Sequence, residues 1–473
     1  MKRSTVVLAL SQLLAIANGQ SACPSPSGDI RPSVASGYSL QVVATGLSEP
    51  RGLAIDNEGH LLVLEQGSGT VSSHVISEAN GCVTAGESSV VVAEGLSLNH
   101  GIWINGTTLY ASNANSVYSW AYDPAARLVN NQEELITNMN NSGHTTRTLL
   151  LSQQVPGMMV VSRGSGGNLD PASTTIEGGT AQVKAFNLNN RTDVYDWNND
   201  GLLMAWGVRN EVGLVEHPVT GGIWGVENSA DQISRDGVDV SNNNPGEELN
   251  FFGYLNGTEY ADQGANFGYP YCLSVWNTSE LPNSQSLSIG DQFAFDSLSA
   301  LNNENRTDEY CASTASPRLV FQAHMAPLDI KFNNSGTEAY VTFHGSWDRD
   351  QGVGYKLSLV QFENGQPADA SDSLTAATDI VANEDNSVCP DSCFRPAAMA
   401  FDSQGRIFMS SDASGEIYLV RRDPSSNGTG TSTSASPSAS ASSTSSSSST
   451  GICYGPPSAR VGAILAIVWF LLS

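Results

Sequence analysis

Six times along this 473-residue chain an apolar, strand-like run closes in a turn that carries an Arg or His, and a second apolar run begins at once. The six read VVATGLSEPRGLAI at Arg51, VVAEGLSLNHGIWI at His100, ITNMNNSGHTTRTLLL at His144, MAWGVRNEVGLV at Arg209, LVFQAHMAPLDI at His324 and, more loosely, CFRPAAMAF at Arg395. Inside the first and last units the pattern Ala-x-Asp-x-x-Gly-x-hydrophobic, at Ala54 to Leu61 and at Ala400 to Ile407, is that of a hairpin with a tight polar turn. Six such units of uneven length predict an all-β fold, a six-bladed β-propeller. The structured part ends on a strand at Glu416 to Val420, so the run Tyr38 to Val43 is expected to supply the outer strand of the last blade and to remove an exposed sheet edge. The long, Asn-rich stretch at about 256–316 breaks the repeat and reads as an insertion.

No linker interrupts residues 20–422, so they are expected to be one repeat-built domain. Residues 1–19 pair a basic start with an apolar core and a small-residue exit, the pattern of a secretory signal peptide. Residues 423–450 are a Ser/Thr-rich stalk unable to bury a core. In 451–473 a short spacer leads to twelve apolar residues, Val461 to Leu472, which suit the removed tail of a glycolipid (GPI) anchor signal better than a plain tail anchor. Localisation is therefore expected to be secreted and held at the cell surface or wall, with the membrane met only through that anchor. Sequons at Asn105, Asn140, Asn190, Asn256, Asn277, Asn305, Asn333 and Asn427 agree with a secreted glycoprotein. Six cysteines remain outside the anchor signal and permit 15 pairings; the expected set is Cys23 with Cys82, Cys272 with Cys311, and Cys389 with Cys393. A formal charge of -26 makes nucleic acid a poor partner.

In an up-and-down blade the start of the innermost strand and the loop after the second strand lie on one face. The six basic residues are thus expected around one mouth of the central channel, joined by Glu65-Gln66, Arg163 to Asn168, Glu227 to Asp231 and His344-Gly345-Ser346-Trp347-Asp348. Any single one could pair with an acid of the neighbouring blade. Together with Trp347 and Asp348, the set points to an anionic guest, which Arg forks suit.

The phrases Pro50-Arg51-Gly52, Gly143-His144-Thr145-Thr146-Arg147, Gly207-Val208-Arg209-Asn210, Gly246-Glu247-Glu248-Leu249-Asn250, Asn266-Phe267-Gly268-Tyr269-Pro270 and His344-Gly345-Ser346-Trp347 resemble those of the pyrroloquinoline quinone-dependent sugar dehydrogenases. The fungal pyranose dehydrogenases and sorbosone dehydrogenase-like proteins are the nearest in kind. The resemblance covers about residues 37–422. It implies an extracellular quinoprotein oxidoreductase that moves hydride from a sugar to pyrroloquinoline quinone and passes electrons to an external acceptor, such as a cytochrome or a copper oxidase. It implies His144 as the general base, and Arg51, Arg209, Asn210, His344, Gly345, Trp347, Asp348 and Arg395 as cofactor-binding residues. A calcium ion would be held by backbone carbonyls of Ser229 and Ala230. His100 and His324 are assigned no role. Two other readings are a calcium-dependent propeller lactonase, which would bring carboxylates and Asn to the axis, and a non-catalytic cell-surface binding propeller.

Overall fold

The local chemistry of one hairpin is repeated around the molecule. Asp56 Oδ1 accepts from the backbone N–H of Glu58 at 3.0 Å and of His60 at 2.8 Å, and Gly59 takes φ 83°, a left-handed value that any side chain would strain. In the last unit Asp402 Oδ1 accepts from the N–H of Gln404 and Arg406, both at 2.9 Å, and Gly405 stands at φ 75°. The same side-chain-to-backbone turn thus opens and closes the repeat.

The computed structural model describes residues 30–423 apart from 303 and 305, together with 23, 24 and 26. The signal peptide, all of the stalk but its first residue, and the anchor signal lie outside the described residues. Six blades, each built on four antiparallel strands, follow one another in sequence, a six-bladed β-propeller, and Tyr195–Asp196 adds a parallel fifth strand to the second against Leu128–Thr137. Their innermost strands are Pro50–Ile55, Ile102–Asn105, Leu149–Leu151, Glu211–Glu216, Pro327–Phe332 and Pro396–Phe401. The sixth blade is completed by Tyr38–Ala44, which pairs antiparallel with Glu416–Arg422 in the register Leu40 to Val420 and Val42 to Tyr418. The segment before it, Pro32–Val34, adds a fifth strand to blade five by pairing with Ala377–Asn383.

Alternation along the strands sends apolar side chains into the gaps between blades, so the core is six wedges rather than one centre. Trp224 and Phe251 of blade four meet Phe332, Phe343 and Phe362 of blade five. Val43, Phe408 and Leu419 of blade six meet Leu53, Leu61 and Val63 of blade one. Each side chain fully buried this way contributes about 1.5–3 kcal/mol, and these wedges fix the angular position of every blade.

Three disulfides form, Cys23–Cys82, Cys272–Cys311 and Cys389–Cys393, in the expected pairing. The connection from Glu247–Tyr254 to Leu319–Phe321 in blade four carries a two-stranded ribbon, Cys272–Ser274 with Gln292–Ala294, and one helical turn, Asp308–Cys311. It has its own apolar cluster, in which Tyr269, Phe293 and Leu301 pack on Ala230, Ile233 and Val240 from the preceding loop of the same blade.

Candidate functional site

Antiparallel register places the start of each innermost strand opposite the end of the second, as in Pro50 with Glu65, Glu211 with Glu227 and Pro327 with Phe343. The loops at this end therefore converge. His144 lies on the loop before Leu149–Leu151, held by two buried guanidiniums that spend themselves on backbone carbonyls. Arg147 donates to the carbonyls of His144 at 2.8 Å, Thr146 at 2.7 Å and Met139 at 2.6 Å. Arg163 donates to the carbonyl of Asn140 at 3.0 Å and of Gly179 at 2.9 Å. The Gly-rich run 164–167 lets a second loop lie against the first: a Cβ on Gly164 would sit 2.6 Å from Cβ of His144 and 2.7 Å from Oδ1 of Asn210.

That contact fixes the His144 tautomer. Ser165 Oγ donates its one hydrogen to the Gly167 carbonyl at 2.7 Å, so its 2.9 Å contact with His144 Nδ1 has the imidazole donating. Nε2 is left with a lone pair. Burial, with the Arg209 charge nearby, pulls the His144 pKa down to about 3, so the ring is neutral near pH 7.

His144 shares a cavity of about 150 Å³ with Arg209, Asn210, Ser229, Trp347 and Asp348, all read from the sequence, and with Asn228, Asp231, Glu247 and His324. Arg209 is buried and turned inward. Its Nε donates to the Asn168 carbonyl at 3.0 Å, and its Nη atoms reach the Asn228 carbonyl at 3.1 Å, Asn168 Oδ1 at 2.9 Å and Asp231 Oδ2 at 3.1 Å. His324, at φ 65°, donates from Nε2 to the Ser241 carbonyl, while its Nδ1 faces Asp231 at 3.3 Å and Asp348 at 3.4 Å. Burial pushes Asp231 up, but the His324 hydrogen bond and the Arg209 charge outweigh it and leave it lowered. Burial and the Asp231 charge raise Asp348, whose buried Oδ1 has no hydrogen-bond donor. Asp231, His324 and Asp348 can each offer a ligand atom within 4.8 Å of the others, which makes them a candidate cation site. Glu247 braces both flanking loops by accepting from the N–H of Ser229 at 2.7 Å and of Ala326 at 3.0 Å, and burial pushes its carboxyl up to about 7.

The remaining candidates fall elsewhere on the same end. Asp412 joins Arg51 at 2.7 Å and His344 at 2.8 Å, and Arg395 donates to the carbonyls of His344 at 3.1 Å and Gly345 at 2.9 Å. Here the neighbouring-blade pairing weighed for single basic residues is what forms, although the buried Arg51 Nε keeps a hydrogen that no described group accepts. Arg51 and His100 line a separate axial cavity of about 240 Å³ between the innermost strands. Ser229 borders the His144 cavity, whereas the Ala230 side chain is buried in the apolar cluster of the insertion. Sequence reasoning gave Ser165, Asp231 and Glu247 no role. Their signals were a polar residue inside a glycine run, an acid two positions after Ser229, and a consecutive acid pair at the head of a strand.

Residues 32–423 match the TrAA12-like protein family. A pyrroloquinoline quinone-dependent sugar dehydrogenase of Hypocrea jecorina is 43% identical over 399 residues, covering 83% of this chain and 89% of that protein. A pyrroloquinoline quinone-dependent pyranose dehydrogenase of Coprinopsis cinerea is 35% identical over 422 residues, 85% of this chain but 56% of that protein, so the chain spans little more than half of it. A calcium structure of Trichoderma reesei Carbohydrate-Active Enzymes Family AA12 superposes with TM-score 0.80 at 42% identity, over 85% of this chain and 99% of that one.

Proposed function

The chain belongs to the TrAA12-like family, and from that premise we propose that it is an extracellular pyrroloquinoline quinone-dependent dehydrogenase that oxidises a sugar and hands the electrons to an external acceptor. The observation that carries this reading is His144, a neutral imidazole whose tautomer is set by Ser165 and whose Nε2 lone pair is free to take a proton. A hydroxyl carbon that gives up hydride must lose its O–H proton as well, and a positioned neutral His suits that task.

Pyrroloquinoline quinone, when bound, supplies a two-electron hydride acceptor and three carboxylates. The residues of this chain fit such a guest in part through groups left unsatisfied: the buried Arg51 Nε lacks an acceptor, and the Arg209 and Arg395 guanidiniums stand at the same end. Arg209, already fixed by Asn168 and Asp231, would act as a rigid positive wall beside Asn210, and the exposed Trp347 ring would offer a flat face. A calcium ion, which supplies Lewis acidity, fits the oxygen donors of Asp231 and Asp348, since Asp348 Oδ1 has no donor of its own, with the Ser229 loop adjoining. His324 stands between those carboxylates, and Glu247 holds the two loops that present them.

The lactonase reading asked for carboxylates and Asn at the site, and the cavity contains both. What weighs against it is family membership together with Arg209, a cation placed where a metal-only lactonase has no use for one. Three disulfides and eight sequons support the extracellular address, with a glycolipid anchor as the proposed attachment.

The test is reconstitution of the purified protein with calcium and pyrroloquinoline quinone. Cofactor absorbance should appear and a dye should be reduced only when sugar is added. A His144→Ala variant should bind the quinone and lose at least 100-fold in kcat. Failure to bind the quinone at micromolar concentration would sink the reading.

A further inference from the structure

Trp347 lines two cavities. One is the His144 cavity; the other, about 410 Å³, lies between the loop that carries Trp347 and the loop around Asn386 to Pro390. That volume falls within the ~300–1,000 Å³ of small-molecule sites. The Trp347 side of it is open: the residue is 63% exposed, while every other tryptophan among the described residues is buried or half-buried.

The walls are built in advance. The Trp347 loop is cross-tied by Ser346 N to the Val353 carbonyl and Val353 N to Ser346 Oγ, both at 3.0 Å. The Tyr355 hydroxyl, beneath it and buried, donates to the Ser346 carbonyl. Asp350 N is tied to Asn242 Oδ1 at 3.2 Å. Opposite, Asp385 caps Ser387 N at 2.8 Å and Cys389–Cys393 closes the loop. A platform held this way gives up little entropy on binding.

The chemistry of the lining selects a ligand class. Arg349 is the one cation there, and it is spent on the Gln351 and Ala323 carbonyls and on Asn243 Oδ1. Among the described residues, the Asp350 carboxylate and the Gln351 carboxamide carry no hydrogen bond, whereas the Ser387 hydroxyl is committed to Asp385. A free carboxylate beside a spent Arg repels anions. Uncommitted hydroxyl-binding groups next to an exposed indole face suit a ring with one apolar C–H face and a polar edge.

We propose that the second cavity is a subsite for a neutral pyranose unit, so that the substrate class includes disaccharides whose reacting ring lies at His144 and whose neighbouring ring stacks on Trp347. The inference rests on the sugar dehydrogenase reading for the reacting ring, and its test is arranged to separate the two.

Cofactor-free protein is titrated with cellobiose, maltose and lactose, following tryptophan fluorescence, with Trp347→Phe as control. At least one disaccharide should give a saturable change that Trp347→Phe abolishes. Reconstituted enzyme is then compared on glucose and the best disaccharide. The double variant Asp350→Ala, Gln351→Ala should lose at least tenfold in kcat/KM on the disaccharide and change less than twofold on glucose. Equal losses on both sugars, or no loss on either, overturn the subsite. If the wild type oxidises no sugar, the dehydrogenase reading fails, and the fluorescence titration still decides the subsite: a saturable, Trp347-dependent change that the Asp350→Ala, Gln351→Ala variant weakens supports it, and no change, or one that this variant leaves intact, overturns it.

Discussion

At the scale of single residues, the site depends on one hydroxyl. Ser165 Oγ accepts from His144 Nδ1 because its own hydrogen is committed to the Gly167 carbonyl, and by analogy with the partners that orient metal-ligating histidines, such a hydrogen bond is worth about 10–100-fold. Ser165→Ala should therefore lower kcat by about that factor while KM changes little, and ¹⁵N spectra should show the His144 proton divided between Nδ1 and Nε2. An unchanged tautomer would remove Ser165 from the role. Because burial and the Arg209 charge draw His144 down to about 3, the ring in cofactor-free protein should remain neutral through pH 5, with no titration near the ordinary 6.5. A ring that protonates at pH 6 in that spectrum would contradict the buried, Arg-flanked environment. His144 was legible in the sequence because its phrase is continuous. Asp231, His324 and Asp348 were not legible as a group, since they come from three loops of two blades and only the fold brings them within reach of one another.

At the scale of elements, the insertion in blade four is a brace for the site. The Tyr269 hydroxyl donates to the Asn168 carbonyl at 3.0 Å and accepts from Asp170 N at 2.8 Å, and Asn168 in turn holds Arg209 and the N–H of Asp231. Cys272–Cys311 closes the segment that begins three residues after Tyr269. The paired variant Cys272→Ala, Cys311→Ala should cost about 2–4 kcal/mol of stability, read as a lower Tm. It should also weaken quinone binding by several-fold, though neither cysteine touches the His144 cavity. Weaker stability with unchanged cofactor affinity would reduce the insertion to a surface ornament. The hairpins were readable because a turn such as Asp56 to Gly59 is decided by four neighbouring residues. The pairing of Pro32–Val34 with blade five was not readable, because its partner lies at Ala377–Asn383 and the contact exists only once the ring has closed. Ala230, expected to offer its backbone carbonyl to calcium, has its side chain in the apolar cluster of the insertion, which leaves that carbonyl's role open to test.

At the scale of the whole molecule, the buried ionisable groups set opposing slopes of stability with pH. His100 and His144 are both pulled down to about 3, burial being the larger cause and a nearby Arg the next. Below pH ~6.5 the unfolded chain binds protons that these two rings refuse, so the fold weakens as pH falls. The buried acids act in the opposite sense. Burial raises Glu247 to about 7 and holds Glu211 and Glu227 well above the usual carboxylate range. Their contribution is complete below pH ~4.5 and is lost as pH rises through their folded values, because the unfolded chain then sheds protons that the fold retains. His74, His217 and His344 are lowered in the same sense as the two rings and Glu248 is raised with the three acids, so the two sets oppose one another below pH ~6.5 and only the acids act above it. A formal charge of -26 at pH 7 adds self-repulsion that grows toward alkaline pH. The Tm of cofactor-free protein should therefore decline from neutral pH toward pH 8, where the histidines no longer titrate in either state and the acids still do. Glu211, whose buried Oε1 lacks any hydrogen-bond donor, supplies the control. Glu211→Gln keeps its shape and cannot ionise, so the decline toward pH 8 should become shallower. A Tm that climbs from neutral pH to pH 8, or a Glu211→Gln profile parallel to the wild type, would show that these carboxyls are not the source of the alkaline slope.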